Sequence, residues 1–99
     1  GDMLTKDEAR ALVVAKIEKA PKDKYAGEDW VVLDSRTIER PWGWVFFYNS
    51  RRYLETRDFR YALAGNAPYI VNKHTGELRV TGTGHPIEHY IAEYERFLW

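Results

Sequence analysis

The stretch GWVFFYNSRRYL, residues 43–54, constrains the fold of this chain more than any other. Five of the six residues from Trp44 to Asn49 are apolar or aromatic. A strand with one buried face alternates apolar and polar side chains, and this one barely does. Three readings fit such a run: a central strand covered on both faces, the wall of a ligand pocket, or a surface kept for a partner protein.

The residues on either side favour a strand in a hairpin. RPWG (40–43) is turn chemistry, because Pro41 fixes φ and Gly43 is free to take a positive one. The run is then the second arm, and residues 30–39 form the first. Val31, Leu33, Ser35 and Thr37 would lie on one face of that arm, with Trp30, Val32, Asp34, Arg36 and Ile38 on the other. Gly65 and Asn66 supply a turn before a third strand from Pro68 to Asn72. The loop NKHTGE (72–77) reads as a hairpin with Gly76 in the left-handed position, and Leu78 and Val80 mark a fourth strand.

Helices are expected at both ends. Thr5 and Glu8 make a T-x-x-E capping box, with Leu4 placed to staple against the first turn. Ala9, Leu12, Val13, Ile17 and Ala20 then recur at helical spacing until Pro21 stops the helix. The last segment opens on Pro86 at a first-turn position, and Ile87, Tyr90, Ile91, Tyr94 and Leu98 form its apolar stripe. Strands grouped between terminal helices predict an α+β fold. The expected order is an N-terminal helix, a four-stranded, mostly antiparallel meander and a C-terminal helix, with both helices on one face of the sheet. Residues 1–99 are read as one domain. Residues 1–3 are taken as a disordered start, or as Gly1 and Asp2 added ahead of a natural Met3.

Composition narrows the function classes. The absence of cysteine rules out disulfides, thiolate zinc sites and cysteine nucleophiles, and it fits a reducing compartment. Lysine plus arginine (15) equals aspartate plus glutamate (15), so the chain lacks the basic footprint of a nucleic-acid binder. No apolar run approaches the roughly 18 residues of a membrane span. The expected setting is the cytoplasm.

Little in the sequence points to catalysis. HPIEH (85–89) has the H-x-x-E-H spacing of inverted zinc proteases. However, Pro86 puts His85 at or before the helix cap, and no third ligand follows, so surface or capping histidines are the expected reading. GTGH (82–85) lacks the lysine and hydroxyl residue of a phosphate loop. Ser35 and Ser50 have no histidine nearby in sequence, and Asp34 with Glu39, or Glu55 with Asp58, read as solvated charges. Neither cofactor nor metal is expected.

The segment after Ser50 is different in kind. Arg51, Arg52, Arg57 and Arg60 are interleaved with Tyr53, Phe59 and Tyr61 and offset only by Glu55 and Asp58. Arginine and aromatics stack on nucleic-acid bases, and they are also enriched at protein interface hot spots.

The order of motifs resembles one family. The pattern comprises L-T-K-x-E-A over Leu4–Ala9, the strand Gly43–Ser50, L-A-G-N-x-P over Leu63–Pro68, T-G-E over Thr75–Glu77 and P-I-E-x-Y-I-x-x-Y-E over Pro86–Glu95. Together these are similar to the immunity protein 35 (YrhB-like) domain of bacterial polymorphic toxin systems. His85 departs from the small or apolar residue expected there, which further marks H-x-x-E-H as accidental. The resemblance implies a non-catalytic antidote that neutralises a toxin domain by stoichiometric occlusion. The same domain also occurs as a small chaperone-like protein, which is the alternative; a ligand-binding or enzymatic pocket ranks behind both. Gly43, Trp44, Phe46, Gly65, Asn66, Pro68 and Gly76 read as structural. Trp42, Tyr48, Arg51, Arg52, Tyr53, Arg57, Phe59 and Tyr61 are the candidate contacts for a protein partner, with the chain a monomer or homodimer.

Overall fold

The computed structural model describes residues 3–19, 30–57 and 67–98. The first helix, α1 (Lys6–Lys19), starts through the expected capping box. Thr5 Oγ1 accepts the Glu8 amide at 3.1 Å, and Glu8 Oε1 accepts the Thr5 amide at 2.9 Å. Ala9, Val13 and Ile17 are its buried row. Leu12 was expected in that stripe and is 40% exposed, because an i, i+4 row is narrow and Leu12 lies about 100° round from Val13. Ala20 and Pro21 lie outside the described residues.

The expected first strand is broken in two. β1 (Trp30–Val32) is followed by a 3-10 turn at Asp34–Arg36 and then by β2 (Ile38–Arg40). β3 (Gly43–Phe46) and β4 (Tyr48–Ser50) break at the matching place. β2 pairs β3 from Arg40↔Gly43 to Ile38↔Val45, whereas β1 pairs β4 with Val32 opposite Tyr48. Residues 33–37 therefore face only Phe46 and Phe47, and the surplus is taken up as a wide bulge. Local bonds hold it: the Arg36 amide donates to the Leu33 carbonyl at 2.9 Å and the Thr37 amide to that of Asp34 at 3.2 Å. Asp34 and Ser35 favour such turns over a continuous ladder.

A short helix, α2 (Arg51–Thr56), follows β4 and was not foreseen in the sequence. β5 (Tyr69–Asn72) and β6 (Leu78–Val80) complete the larger sheet, and α3 (Ile87–Leu98) ends the chain. That sheet is antiparallel throughout, in the order β2-β3-β5-β6, and β1-β4 form a separate two-stranded sheet. The architecture is α+β: a helix, antiparallel sheets and a helix.

The two terminal helices lie on opposite faces of the sheet, which corrects the expectation of a single covered face. Trp44, Phe46, Tyr69 and Val71 share one face and pack with Ala9, Val13 and Ile17 of α1. Val45 and Ile70 share the other and pack with Ile91 and Tyr94 of α3. Thus β3 and β5 are buried at every residue, and the apolar run at 44–46 is a central strand between two helices. A strand covered on both faces has no side left for polar residues, which is why its alternation is missing.

Gly43 is required by proximity. A Cβ there would lie 1.9 Å from the Val71 carbonyl oxygen, and its φ is +154°. Gly76 takes the left-handed φ of +75° in the β5–β6 turn. There the Gly76 amide donates to the Asn72 carbonyl and the Asn72 amide to that of Glu77, both at 2.9 Å.

Candidate functional site

Two of the proposed contact residues are core. Tyr48 is 7% exposed and lies in an aromatic column, 6.0 Å from Trp30 and 5.3 Å from Tyr69 between ring centres. Burial first, then a hydrogen bond with Tyr69, raises the Tyr48 phenol above its ordinary pKa. Trp42 is 6% exposed, packed edge-on against Tyr94 at 4.9 Å. Its indole N–H donates to Glu95 Oε2 at 3.1 Å. Both are large aromatics that complete a packed layer, and Trp42 also lines a surface groove with Pro41 and Leu98. Residue type had suggested interface; position in the layers made them core.

The arginine segment divides by residue. Arg51 opens α2 and is exposed; Arg57 is exposed just after it, with a left-handed φ of 58°. The backbone of Arg52 and Tyr53 belongs to α2, while their side chains lie outside what is described. Phe59 and Tyr61, and Gly65 and Asn66, expected as a turn, lie outside the described residues. Pro68 precedes β5, and its carbonyl accepts both the Thr81 amide at 3.0 Å and the Thr81 hydroxyl at 2.6 Å.

His85 precedes α3, as the argument from Pro86 expected, and its ring centre still lies 4.2 Å from that of His89. Both are exposed, and His89 Nε2 lies 3.1 Å from Glu93 Oε1. Among the described residues no group of three or more histidine, cysteine, aspartate or glutamate side chains could hold a metal ion.

The junction of β5 with α3 is where sequence reading missed most. Asn72 is a buried polar residue at 4% exposure. Its Oδ1 accepts the His74 and Thr75 amides at 2.8 and 3.1 Å, and its Nδ2 donates to the Tyr94 hydroxyl at 3.0 Å. The available signal was an asparagine at the head of a turn, where its side chain commonly bonds the backbone two residues on. Beside this junction, a groove of about 430 Å³ opens between Pro41, Trp42, His74, Thr75, Glu95 and Leu98. A second, of about 390 Å³, runs between β6 and α3, lined by Arg79, Thr81, Tyr90 and Glu93 among others. Arg79 stacks over Tyr94 at 5.1 Å and over Phe97 at 4.3 Å, and Phe97 is 63% exposed.

The fold is an α+β body with a buried central strand, an arginine-bearing α2 and grooves along α3. The chain belongs to the immunity protein 35 family, whose model matches residues 7–94. Over 53 residues it is 47% identical to the uncharacterized protein YrhB of Escherichia coli K12. That alignment covers 54% of this chain and 56% of YrhB, so the match spans little more than half of either. No solved structure matches the chain. No helix among the described residues is long and apolar enough to cross a membrane.

Proposed function

We propose that this chain is a non-catalytic cytoplasmic immunity protein, folded as one domain, that binds a bacterial toxin domain and neutralises it by stoichiometric occlusion. The observation that carries the reading is family membership over residues 7–94, nearly the whole chain. An immunity protein acts on a protein partner, and a partner interface typically covers about 800 Å² on each side. The exposed Arg51, which opens α2, and Arg57, just after it, are the proposed centre of contact. Arg52, Tyr53, Phe59 and Tyr61 extend it along the sequence. Tyr48, in β4 directly before α2, and Trp42, in the β2–β3 turn, are largely buried and would contribute less exposed area than the arginines.

The test is co-expression with toxic domains encoded beside the gene, followed by the mass of any complex in solution. Restored growth together with a complex of defined stoichiometry is the expected result. Failure to rescue any such toxin, with no stable complex, would sink the reading. Suppression of aggregation of unrelated client proteins would instead identify a chaperone-like module.

A further inference from the structure

The last turn of α3 holds a carboxylate in an unfavourable place. Glu95 is part-buried, and Trp42 Nε1–H at 3.1 Å is its one hydrogen-bond donor among the described residues. No ion pair reaches it among those residues. It also sits at the C-terminal end of the helix, where the unsatisfied carbonyls already carry partial negative charge and a cation is the favoured occupant. Arg96, the basic residue of that turn, is exposed and forms no ion pair with it. A cation placed there would satisfy both the carboxylate and the helix end.

The groove beside it has a matching shape. Pro41, Trp42 and Leu98 give it apolar walls, and Glu95 stands among them, with His74 and Thr75 on the side of the β5–β6 turn. Its volume of about 430 Å³ exceeds that of one side chain, so the tip of a partner loop can enter. Lysine and arginine combine an apolar stem with a charged head, and this groove presents apolar walls leading to one unpaired negative charge.

We propose that the groove between the β2–β3 turn, the β5–β6 turn and the end of α3 receives a basic side chain, arginine or lysine, from the partner protein, with Glu95 as its counter-ion. The stem lies along Pro41 and Leu98, and the head pairs with the Glu95 oxygen not engaged by Trp42. The identity of the partner rests on the toxin-binding reading; the chemistry of the groove does not.

The indole N–H of Trp42 touches the same carboxylate, so its resonance in a proton–nitrogen correlation spectrum reports on the site. The intact chain is titrated with N-acetyl-arginine amide and, separately, with N-acetyl-citrulline amide, the neutral isostere. The expected result is a saturable shift of the Trp42 indole signal with the arginine probe, absent with citrulline and absent in Glu95→Gln. No saturable shift, or equal shifts with the two probes, overturns the proposal; that comparison needs no variant. With a toxin domain in hand, Glu95→Gln is expected to weaken the complex by about tenfold or more. Equal affinity of the toxin for wild type and Glu95→Gln overturns the groove while leaving toxin binding standing. A groove that binds the arginine probe in a protein that rescues no toxin leaves the groove's chemistry and removes the toxin reading.

Discussion

Asn72 Nδ2 donates to the Tyr94 hydroxyl at 3.0 Å, joining the end of β5 to the middle of α3 across the buried face of the sheet. The same side chain closes the β5–β6 turn through its oxygen. One residue therefore fixes a turn and docks a helix, and the two functions can be separated by mutation.

Removing only the docking bond tests its smaller share. Tyr94→Phe takes away the acceptor and is expected to cost about 1 kcal/mol, while Asn72→Ala, which also strands the His74 and Thr75 amides, costs about 3 kcal/mol. Urea unfolding of the two variants measures the difference. Equal losses would show that the turn bonds contribute nothing.

Glycine substitutions should separate a packing constraint from a conformational one. At Gly43 the new Cβ meets the Val71 carbonyl at 1.9 Å, a backbone atom that cannot swing aside. Gly43→Ala is expected to lose more than about 3 kcal/mol or to abolish folding. At Gly76 the nearest atom is Leu4 Cδ1 at 3.9 Å, so only the left-handed φ of +75° is penalised, and Gly76→Ala should cost about 1–2 kcal/mol. Thermal melts of both variants check the ranking.

Stability should fall in alkali through Tyr48. Burial raises its phenol in the folded chain above the ordinary value of 10.0, so the folded state keeps a proton that the unfolded state releases. The contribution is complete below about pH 10 and is lost as pH rises above it, at up to about 1.4 kcal/mol per pH unit for one proton. Urea midpoints measured from pH 8 to about pH 11 should therefore be level and then decline. In Tyr48→Phe the decline should be shallower.

The ion pair between α1 and the 3-10 turn should matter little despite its geometry. Arg10 Nε lies 2.7 Å from Asp34 Oδ1, and Nη2 lies 3.2 Å from Oδ2, but the side chains are 40% and 59% exposed. Solvent screening holds such pairs to less than about 1 kcal/mol. A double-mutant cycle with Arg10→Ala and Asp34→Ala measures the coupling, which should shrink further in added salt.

Reversing the charges beside α2 should act on association and leave the fold alone. Arg51→Glu with Arg57→Glu is expected to slow capture of a toxin domain by about tenfold at low salt, with a melting temperature lowered only slightly. Both side chains are exposed, so a large drop in melting temperature would instead mean that they hold the body together.

The elements visible in the sequence share a property: each is decided by residues within a turn or two of one another. Thr5 and Glu8 satisfy each other's amides three residues apart, and Gly76 closes a turn only four residues long. The stripe of α3 puts Ile91 and Tyr94 inside, as its spacing requires. The candidate site was less visible. Tyr48 and Trp42 looked like hot-spot residues because their type is enriched at interfaces, and type alone does not say which layer covers a side chain. Glu95, in contrast, stood in the sequence only as the last residue of the closing helix motif. Its contact with Trp42 spans 53 residues.

What the sequence determined by itself was the kind and order of the main elements, because helical spacing, caps and turn residues act locally. The missing alternation at 44–47 also left a strand covered on both sides among the three readings it allowed. Tertiary structure alone decided what covers each side: α1 on Trp44 and Phe46, α3 on Val45 and Ile70. It also decided the split of the hairpin at residues 33–37, where local turn bonds replace a continuous ladder. A period of two divides a strand into two faces but does not say which distant segment will bury each one. That choice is made by contacts between residues far apart in the chain, where shape and available partners decide.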